Sequence, residues 1–265
     1  MSTLIAQRPA AYLLDHDWEL EPHRLALLEH HADPTSARRL QATGLATGWR
    51  CLEVGAGRGS IARWLANQVG PSGEVVALDL DTSLLAGLDQ PNIEVLSGDV
   101  LDVELPKASF DLVHTRLVLM HIPERRRAIE RMVSLLAPGG WLVVEELDWM
   151  AVKAEPDPER VALIEAFKEA LPTIDFECGR ALLSEISEAG LVDTVADLRV
   201  DVIEGATALA RWEQLSVQAL SEEVLTAGTT TEEQIDEHLG RLEDPDYRGY
   251  GFTWVGARGR RPSAG

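Results

Sequence analysis

Residues 51–60 read CLEVGAGRGS, in which a short apolar run containing Glu53 leads into glycine at every second position. The three glycines are Gly55, Gly57 and Gly59. Glycine lets a backbone turn through positive φ and lets a ligand approach the main chain where a Cβ would block it. Residues 60–70 (SIARWLANQVG) follow with the apolar spacing of a helix. The stretch therefore predicts a strand, a ligand-binding loop and a helix whose N-terminal N–H groups point into the same crevice.

Outward from this loop, short β-branched runs alternate with helical patterns between residues 48 and 149, which is typical of a mainly parallel sheet flanked by helices. Amphipathic patterns in residues 11–44 predict a helical cap. After residue 149 we expect helices, a sixth strand (LVDTVADLRVDVIEG), an acidic helical insertion from Ala206 to about Leu242, and a final strand (GYGFTWVGARGRR). The first five strand runs are RCLEVGA, EVVALDL, IEVLSGD, FDLVHTR and WLVVEEL; the helical patterns between them are SIARWLANQVG, TSLLAGLDQ and PERRRAIERMVSLLAPGG.

The composition limits the class of partner. The chain has 265 residues, of which 45% are apolar, enough for one elaborated α/β domain. Its 44 acidic and 24 basic residues give a formal net charge of -20, which repels nucleic acid phosphates and anionic membranes. Cys51 and Cys178 match no metal-ligand spacing, and there is neither a secretory leader pattern nor an apolar run of about 18 residues. We expect a cytoplasmic monomer or homodimer that acts on a small molecule, without a metal, nucleic acid or membrane partner.

Acidic residues end the second and third predicted strands. Asp79 stands twenty residues beyond Gly59, where a carboxylate can accept hydrogen bonds from both hydroxyls of a ribose. Asp99 and Val100 follow the third strand, where the acid can accept from the exocyclic amine of adenine and the Val100 N–H can donate to a ring nitrogen. Three consecutive strand ends thus predict a glycine cradle, a ribose anchor and an adenine anchor for a nucleoside ligand.

The spacing of the glycines also bears on which nucleoside binds. A dinucleotide fingerprint has the form G-x-G-x-x-G and places a helix N-terminus against pyrophosphate. Here Glu53 precedes glycines at alternate positions. A carboxylate repels pyrophosphate but attracts an ammonium group. The pattern favours S-adenosylmethionine, whose methionine portion carries an ammonium, over NAD.

The motif series resembles, in order and spacing, that of the class I S-adenosylmethionine-dependent methyltransferases, and within them the small-molecule branch common in actinobacteria. The motifs are EVGAGRGS, VVALDLD, SGDVLD, FDLVHTRLVLMHIP and LLAPGGWLVVEELD, within residues 45–150. The resemblance implies an α/β, Rossmann-like fold with a seven-stranded, mostly parallel sheet and an antiparallel last strand. We expect a single domain over residues 1–265, with a helical cap (1–44), a cofactor-binding core (45–150) and substrate-side helices with the final strands (151–265).

The resemblance also implies cofactor contacts at the methionine end. Gly55, Ala56 and Gly57 match the loop that packs against the methionine portion, with Glu53 near its ammonium. Arg116 stands just past the fourth strand, where relatives present a backbone carbonyl to that ammonium. Its guanidinium can pair with the cofactor carboxylate or, alternatively, with a helix carboxylate at the surface.

At the nucleoside end, the resemblance assigns Asp79 to the ribose, Leu80 to the side of the adenine, and Asp99 with Val100 to the adenine edge. Relatives that methylate nucleobase or glutamine nitrogens have an Asn-Pro-Pro-Tyr tetrapeptide after the fourth strand. This chain has Arg-Leu-Val-Leu at 116–119 instead, which counts against that substrate class.

The cap and the insertion are expected to select the substrate. The cap sequence AYLLDHDWELEPHRLALLE resembles that of the same branch, so Tyr12 or Trp18 is expected to close over the methionine end. In the insertion, RWEQLSVQALSEEVL has an apolar side suited to covering a pocket, while its acids are interpreted as a solvated face.

A general base is optional for methyl transfer, because only a hydroxyl acceptor gains from one with a pKa near neutrality. His121, after the fourth strand, has the right titration range for the catalytic base, although a histidine there can also be structural. Glu146 and Asp148 are further candidates, and His16 is a lesser one. Glu145 and Glu146 are adjacent in a strand, so at most one of them should face the pocket.

The sequence therefore predicts methyl transfer from S-adenosylmethionine to a small organic molecule of the specialised-metabolite kind, with oxygen favoured over nitrogen or carbon as the acceptor atom. Two alternatives stay open: a non-methylating protein of the same fold that binds S-adenosylmethionine, and an NAD-dependent oxidoreductase. The glycine spacing and Glu53 count against the second.

Overall fold

The computed structural model describes residues 18–263, and a seven-stranded sheet forms the centre of that region. Its strands are β1 (Arg50–Val54), β2 (Glu74–Asp79), β3 (Ile93–Ser97), β4 (Phe110–Arg116), β5 (Leu136–Asp148), β6 (Val192–Glu204) and β7 (Arg248–Arg260). The α-helices of the same region are α1 (Glu21–Gln41), α2 (Ser60–Val69), α3 (Arg125–Leu135), α4 (Pro158–Ala170), α5 (Leu182–Glu188), α6 (Ala208–Ala227) and α7 (Glu232–Glu243).

The strand order is β3-β2-β1-β4-β5-β7-β6, with β1 to β5 parallel and β7 antiparallel to both of its neighbours. The predicted fold class is confirmed, including the helical insertion, because α6 and α7 lie between β6 and β7 in the chain. The order reverses between β1 and β4. Open α/β sheets bind ligands at the carboxyl ends of the strands beside such a reversal, so the crevice lies where the glycine loop follows β1.

Alternation along the central strands gives the sheet two apolar faces. One face packs against α1 and α2, and the other packs against α3 and α5. The residues on the first face include Cys51, Val75, Ala77, Leu112 and Val143, and those on the second include Leu52, Val76, Val113, Leu142 and Val144. Because helices cover both sides of the sheet, a ligand reaches it at the strand ends.

The cap and the insertion meet over those strand ends. Leu28 and Ala32 of α1 pack with Leu147 of β5, Trp212 of α6 and Trp254 of β7 in one apolar cluster. Two helical patterns of the cap sequence form the single helix α1, which continues through Pro34. The carboxyl end of the sheet is therefore covered by helices that are far apart in sequence, and these helices are called the roof below.

The prediction of a helix over TSLLAGLDQ was wrong. Only a single 3-10 turn, Ser83–Leu85, forms there. The segment is too short to be a stable helix by itself, and Gly87 weakens a helix further. Its leucines instead pack over the glycine loop, since a Cβ on Gly59 would lie 2.9 Å from Leu88.

Candidate active site

The glycine loop turns sharply through positive φ, at +73° for Gly55 and +55° for Gly57. A Cβ on Gly55 would lie 2.1 Å from Cγ2 of Val118, so this glycine allows the segment after β4 to pack directly on the loop. A Cβ on Gly57 would meet no described atom within 4 Å. Gly55 therefore serves packing, while Gly57 borders open space in which a ligand can approach the backbone.

Asp79 ties the glycine loop to the end of β2. Its Oδ2 accepts the N–H of Gly57 at 2.8 Å, and its Oδ1 accepts the N–H of Asp81 at 3.1 Å. Leu80, the next residue, has an exposed fraction of 62%. A fixed carboxylate and an exposed apolar side chain thus stand together beside the loop.

The end of β3 lies next to the end of β2, since Asp79 pairs with Ser97 in the sheet. Asp99 follows β3 and its Oδ1 accepts the N–H of Leu101 at 2.8 Å. The side chain of Val100 is buried. The three predicted anchor points therefore follow the carboxyl ends of neighbouring strands.

Arg116, at the end of β4, uses its guanidinium to hold α1. One nitrogen lies 2.9 Å from Oδ1 of Asp33 and another donates to Oγ of Ser36 at 2.9 Å. Of the two alternatives for this side chain, the described contacts match the pairing with a helix carboxylate. Asp33 also accepts from Ser60 at the start of α2, so the arginine stabilises the junction of both helices with the sheet.

A chain of buried charges begins at Glu53. Its Oε2 lies 2.7 Å from Nδ1 of His114, and Nε2 of His114 lies 3.1 Å from Oε1 of Glu145. Oε2 of Glu145 accepts from Arg39 at 2.6 Å, and Arg39 binds Asp197 of β6 at 2.6 Å. The sequence reasoning missed the partners of Glu53. The available signal was a polar residue on the same face of three neighbouring strands, near their carboxyl ends.

Mutual stabilisation decides the charges in this chain. Burial opposes protonation of His114, but the carboxylates of Glu53 and Glu145 outweigh it and raise its pKa to about 9. Burial likewise opposes ionisation of Glu145, yet the hydrogen bond and charge of His114, together with Arg39, lower its pKa to about 2. Burial raises the pKa of Glu53, with His114 acting against it. Near neutral pH the imidazolium of His114 therefore lies between two acids.

Glu145, Glu146 and Asp148, at the end of β5, each contact other protein groups. Glu145 belongs to the buried chain, and Asp148 binds Arg180 at 2.7 Å. Glu146 faces the opposite side, where its Oε1 accepts the N–H groups of Val118 at 3.0 Å and Leu119 at 2.7 Å. Burial raises its pKa to about 8, although those hydrogen bonds work against the shift. Glu146 thus anchors the segment after β4, where Leu117 has a φ of +57°.

An apolar cavity of about 130 Å³ lies under the roof of helices, against the segment after β4. Leu117, Met120 and His121 form part of its wall, and the rest comes from α1, α4, α6 and α7 together with β5, β7 and the loops after β5 and α4. Its aromatic lining consists of Trp149, Phe167, Phe176, Trp212 and Phe252. As expected, one side of α6 covers a pocket, with Trp212, Ser216, Val217 and Leu220.

His121 lines this cavity, but its titration differs from the expectation. Burial, assisted by the nearby charge of Arg24, lowers its pKa to about 4. The imidazole is therefore neutral near pH 7, where it can accept a hydrogen bond, and it is a weaker base than the sequence suggested.

Glu213 of α6 was wrongly assigned to a solvated face. It is buried, binds Arg160 of α4 at 2.7 Å and lies 3.0 Å from Nε2 of His238 on α7. Burial favours its neutral form, but Arg160 and His238 lower its pKa to about 2. These three side chains join α4, α6 and α7 beside the cavity.

Two of the cap predictions, Tyr12 and His16, lie outside the described residues. Trp18 is the first described residue; it is half-buried, and its carbonyl accepts the N–H of Glu21 at the start of α1.

The family comparison fits this arrangement. Residues 52–144 match the family model described as a methyltransferase domain. This region, with the sheet order described above, is that of a class I S-adenosylmethionine-dependent methyltransferase domain. The cofactor of this superfamily is S-adenosylmethionine. Methyltransferase str2 of Strobilurus tenacellus is 34% identical over 139 residues, which cover 52% of this chain and 50% of that protein. The chain thus spans about half the length of the curated relatives it matches.

Solved structures with the methyltransferase fold resemble the chain over most of its length. Phosphoethanolamine N-methyltransferase 2 of Haemonchus contortus, in complex with phosphomonomethylethanolamine and S-adenosylhomocysteine, gives a TM-score of 0.54 at 17% identity, covering 91% of this chain and 53% of that one. The (4+2)-cyclase SpnF gives 0.54 at 19% identity, covering 89% and 82%. At these identities the likeness concerns the fold.

The region of residues 18–263 holds no group of three or more potential metal-ligating side chains of His, Cys, Asp or Glu. None of its helices is long and apolar enough to cross a membrane.

Proposed function

We propose that this chain transfers a methyl group from S-adenosylmethionine to a small, uncharged, apolar molecule. One observation carries the proposal: the segment after β4 contacts both the glycine loop and the apolar cavity. Val118 packs on Gly55, while Leu117, Met120 and His121 line the cavity. A donor at the loop and an acceptor in the cavity would therefore share one wall, as methyl transfer between two bound molecules requires.

The residues at the strand ends fit the cofactor. The open space beside Gly57 leaves the backbone accessible, and the Asp79 carboxylate is held in place beside it by the Gly57 N–H. In the proposed site Asp79 binds the ribose, and Glu53 serves the ammonium. The methionine portion lies along Gly55, Ala56 and Gly57 with the main-chain carbonyl of Arg116, adenine lies between Leu80, Asp99 and Val100, and Tyr12 or Trp18 closes the methionine end.

The cavity wall supports an uncharged acceptor. Its charged groups already have partners: Arg24 binds Glu21 through two contacts of 2.6 Å, and Glu213 binds Arg160. An ionised acceptor would lose hydration there, at a cost that an apolar wall does not offset. Aromatic side chains favour ring-containing molecules through stacking and edge contacts. An apolar aromatic or polyenyl compound suits this lining.

The chain itself contributes orientation, desolvation and one proton acceptor. When bound, S-adenosylmethionine supplies an electrophilic methyl group on a sulfonium. The aromatic wall excludes water, and neutral His121 accepts a hydrogen bond from an acceptor hydroxyl and so orients it. Its pKa of about 4 makes the imidazole a weak base. That basicity suffices once the oxygen gains positive charge during transfer, because the proton then becomes strongly acidic. Oxygen is therefore the proposed acceptor atom.

The low pKa of His121 also keeps a second function open, in which the same cavity binds a molecule that is rearranged without methylation. SpnF, named as a cyclase, shares the fold. NAD-dependent oxidation is disfavoured, since the glycine spacing differs from that of a dinucleotide loop and the Glu53 carboxylate beside the loop would repel a pyrophosphate.

A matched acceptor screen tests the proposal. Uncharged phenols are compared with carboxylated and aminated analogues of the same skeleton, and both methylated product and S-adenosylhomocysteine are measured. We expect equimolar formation of the two from uncharged members of the panel. Turnover of the charged analogues alone would refute the assignment of acceptor class. Conversion of an acceptor to a rearranged product, with the cofactor unchanged, would favour the second function.

A further inference from the structure

The buried chain of charges that starts at Glu53 crosses three strands and then continues through α1 to a fourth strand. It consists of Glu53 on β1, His114 on β4, Glu145 on β5 and Arg39 on α1, all at most 5% exposed. It ends at Asp197 on β6. Only its first member lies next to the glycine loop, two residues before Gly55.

A stable core does not require this chain of buried charges. On the same face of the same strands, the apolar residues Cys51, Leu112 and Val143 are fully buried. Replacing buried ion pairs with packed apolar groups is commonly neutral or stabilising, whereas burying charges has a large desolvation cost. The charges at the loop end of the face therefore call for a role other than holding the sheet together.

The contacts of His114 define that role. The register of the parallel strands places it directly beside Glu53. Its two ring nitrogens lie 2.7 Å from Glu53 and 3.1 Å from Glu145, so the imidazole is held on both sides and cannot turn without breaking a contact. A carboxylate held by such a fixed ring has one orientation at the base of the loop. Its preorganisation reduces the entropy lost when a ligand binds.

At the far end of this chain of buried charges, Arg39 packs closely against β7. Arg39 reaches Glu145 by crossing β7 at Gly256, where a Cβ would lie 2.1 Å from Nε and 2.3 Å from Cζ of the guanidinium. Glycine at this position is therefore needed for Arg39 to lie flat against the strand. The anchor of His114 thus depends on a residue of the final strand.

We propose that His114 is a positioning residue for the cofactor: it holds the Glu53 carboxylate where the ammonium group of the methionine portion binds, and Glu145 with Arg39 holds His114. This inference rests on the proposed function and deepens it. It predicts different effects on the two ends of the ligand. The chain of buried charges acts on binding of the amino-acid portion and does not include the residues proposed to bind the adenosine.

Two ligands make that separation measurable. S-adenosylhomocysteine carries the amino-acid portion, whereas 5′-methylthioadenosine keeps the adenosine and thioether without it. Calorimetric titration of His114→Gln should show affinity for S-adenosylhomocysteine weakened at least about tenfold. Affinity for 5′-methylthioadenosine should stay within about twofold of the wild type. A merely structural defect would weaken both ligands together.

Variants at other positions complete the test. Glu185→Gln removes a buried carboxylate that pairs with Arg125 on another part of the fold, and it should change neither affinity. Glu145→Gln and Gly256→Ala disturb the far end and should lower only the affinity for S-adenosylhomocysteine. If His114→Gln does not fold, these two variants decide the question by the same criterion.

The contradicting outcomes are distinct. Equal losses for both ligands, or no loss for S-adenosylhomocysteine, would overturn the role of His114 while leaving the proposed function intact. A wild-type protein that binds neither ligand would overturn the proposed function and, with it, this inference.

Discussion

The proposed cofactor edge, formed by the glycine loop and the ends of β1 to β3, and the proposed acceptor cavity are built in different ways. At the edge, the main elements are a glycine loop and three strand ends within residues 50–100, and the Asp79 carboxylate accepts a hydrogen bond from the backbone N–H of Gly57. In the cavity, side chains from five aromatic residues between 149 and 252 meet on elements that are distant in the chain. A site formed by the backbone of one short segment can be recognised in a sequence, whereas a site formed by side chains from distant elements can be recognised only in the fold.

The largest expected effect comes from filling the open space at the cofactor edge. Gly57→Ala places a methyl group where the cofactor is proposed to lie, and should weaken S-adenosylhomocysteine about a hundredfold, or about 2.7 kcal/mol. Gly228→Ala is the matched control, because Gly228 also has positive φ (+71°) and open surroundings, at the end of α6. Both variants carry a backbone penalty of about 1–2 kcal/mol. Equal affinities in calorimetry would place the cofactor elsewhere.

A charge introduced into the acceptor cavity should lower acceptor turnover without changing cofactor binding. Val217→Glu adds a carboxylate to the apolar wall and should lower turnover of an uncharged acceptor at least about thirtyfold, since burying that charge costs several kcal/mol. S-adenosylhomocysteine binding should be unchanged. The control is Leu225→Glu, on the same helix but exposed and outside the cavity. Loss of cofactor affinity in Val217→Glu would mean that the two regions are not separate.

Removing the proposed ribose anchor should have a smaller effect than filling the loop. Asp79→Ala should weaken S-adenosylhomocysteine at least about tenfold, which corresponds to about 1.4 kcal/mol. Asp89→Ala removes an exposed acid from the same stretch of chain and serves as the control. An unchanged dissociation constant for Asp79→Ala would remove this residue from the ribose site.

Glu146 should affect the stability of the junction between the two halves rather than ligand binding. The pKa of Glu146 is raised from 4.5 to about 8 by burial, so the folded protein is more stable when this carboxyl is protonated than when it is ionised. That contribution is fully present below pH 4.5 and is lost as the pH rises through about 8. Glu146→Gln cannot ionise. Its Tm should therefore fall less than that of the wild type between these pH values; parallel Tm profiles would contradict the assignment.

The glycine loop and the order of the strands beside it could be predicted from the sequence because their signals are local. Three positive-φ glycines and an acid at the end of the next strand specify the loop almost independently of the rest of the fold. Glu53 was recognised as unusual, but its partner His114 lies 61 residues away, and only strand register brings the two together. A sequence pattern gives the residue type and its side of the strand, without the neighbouring strand.

The charges around the acceptor cavity were harder to predict from the sequence, again because the contacting residues lie on elements distant in the chain. Glu213 resembled a solvated acid because its partners, Arg160 and His238, lie on two other helices. The pKa of His121 was misjudged because the roof that buries it comes from elements on both sides of it in the chain. Burial and pairing decide the charge of such groups, and both are tertiary properties.

The most direct test of the central claim is calorimetric titration of cofactor-free protein with S-adenosylhomocysteine, with NADH as the control ligand. The account predicts one-to-one binding of S-adenosylhomocysteine in the micromolar range, about -8 kcal/mol, and no comparable binding of NADH. Absence of S-adenosylhomocysteine binding, or tighter binding of NADH, would contradict it.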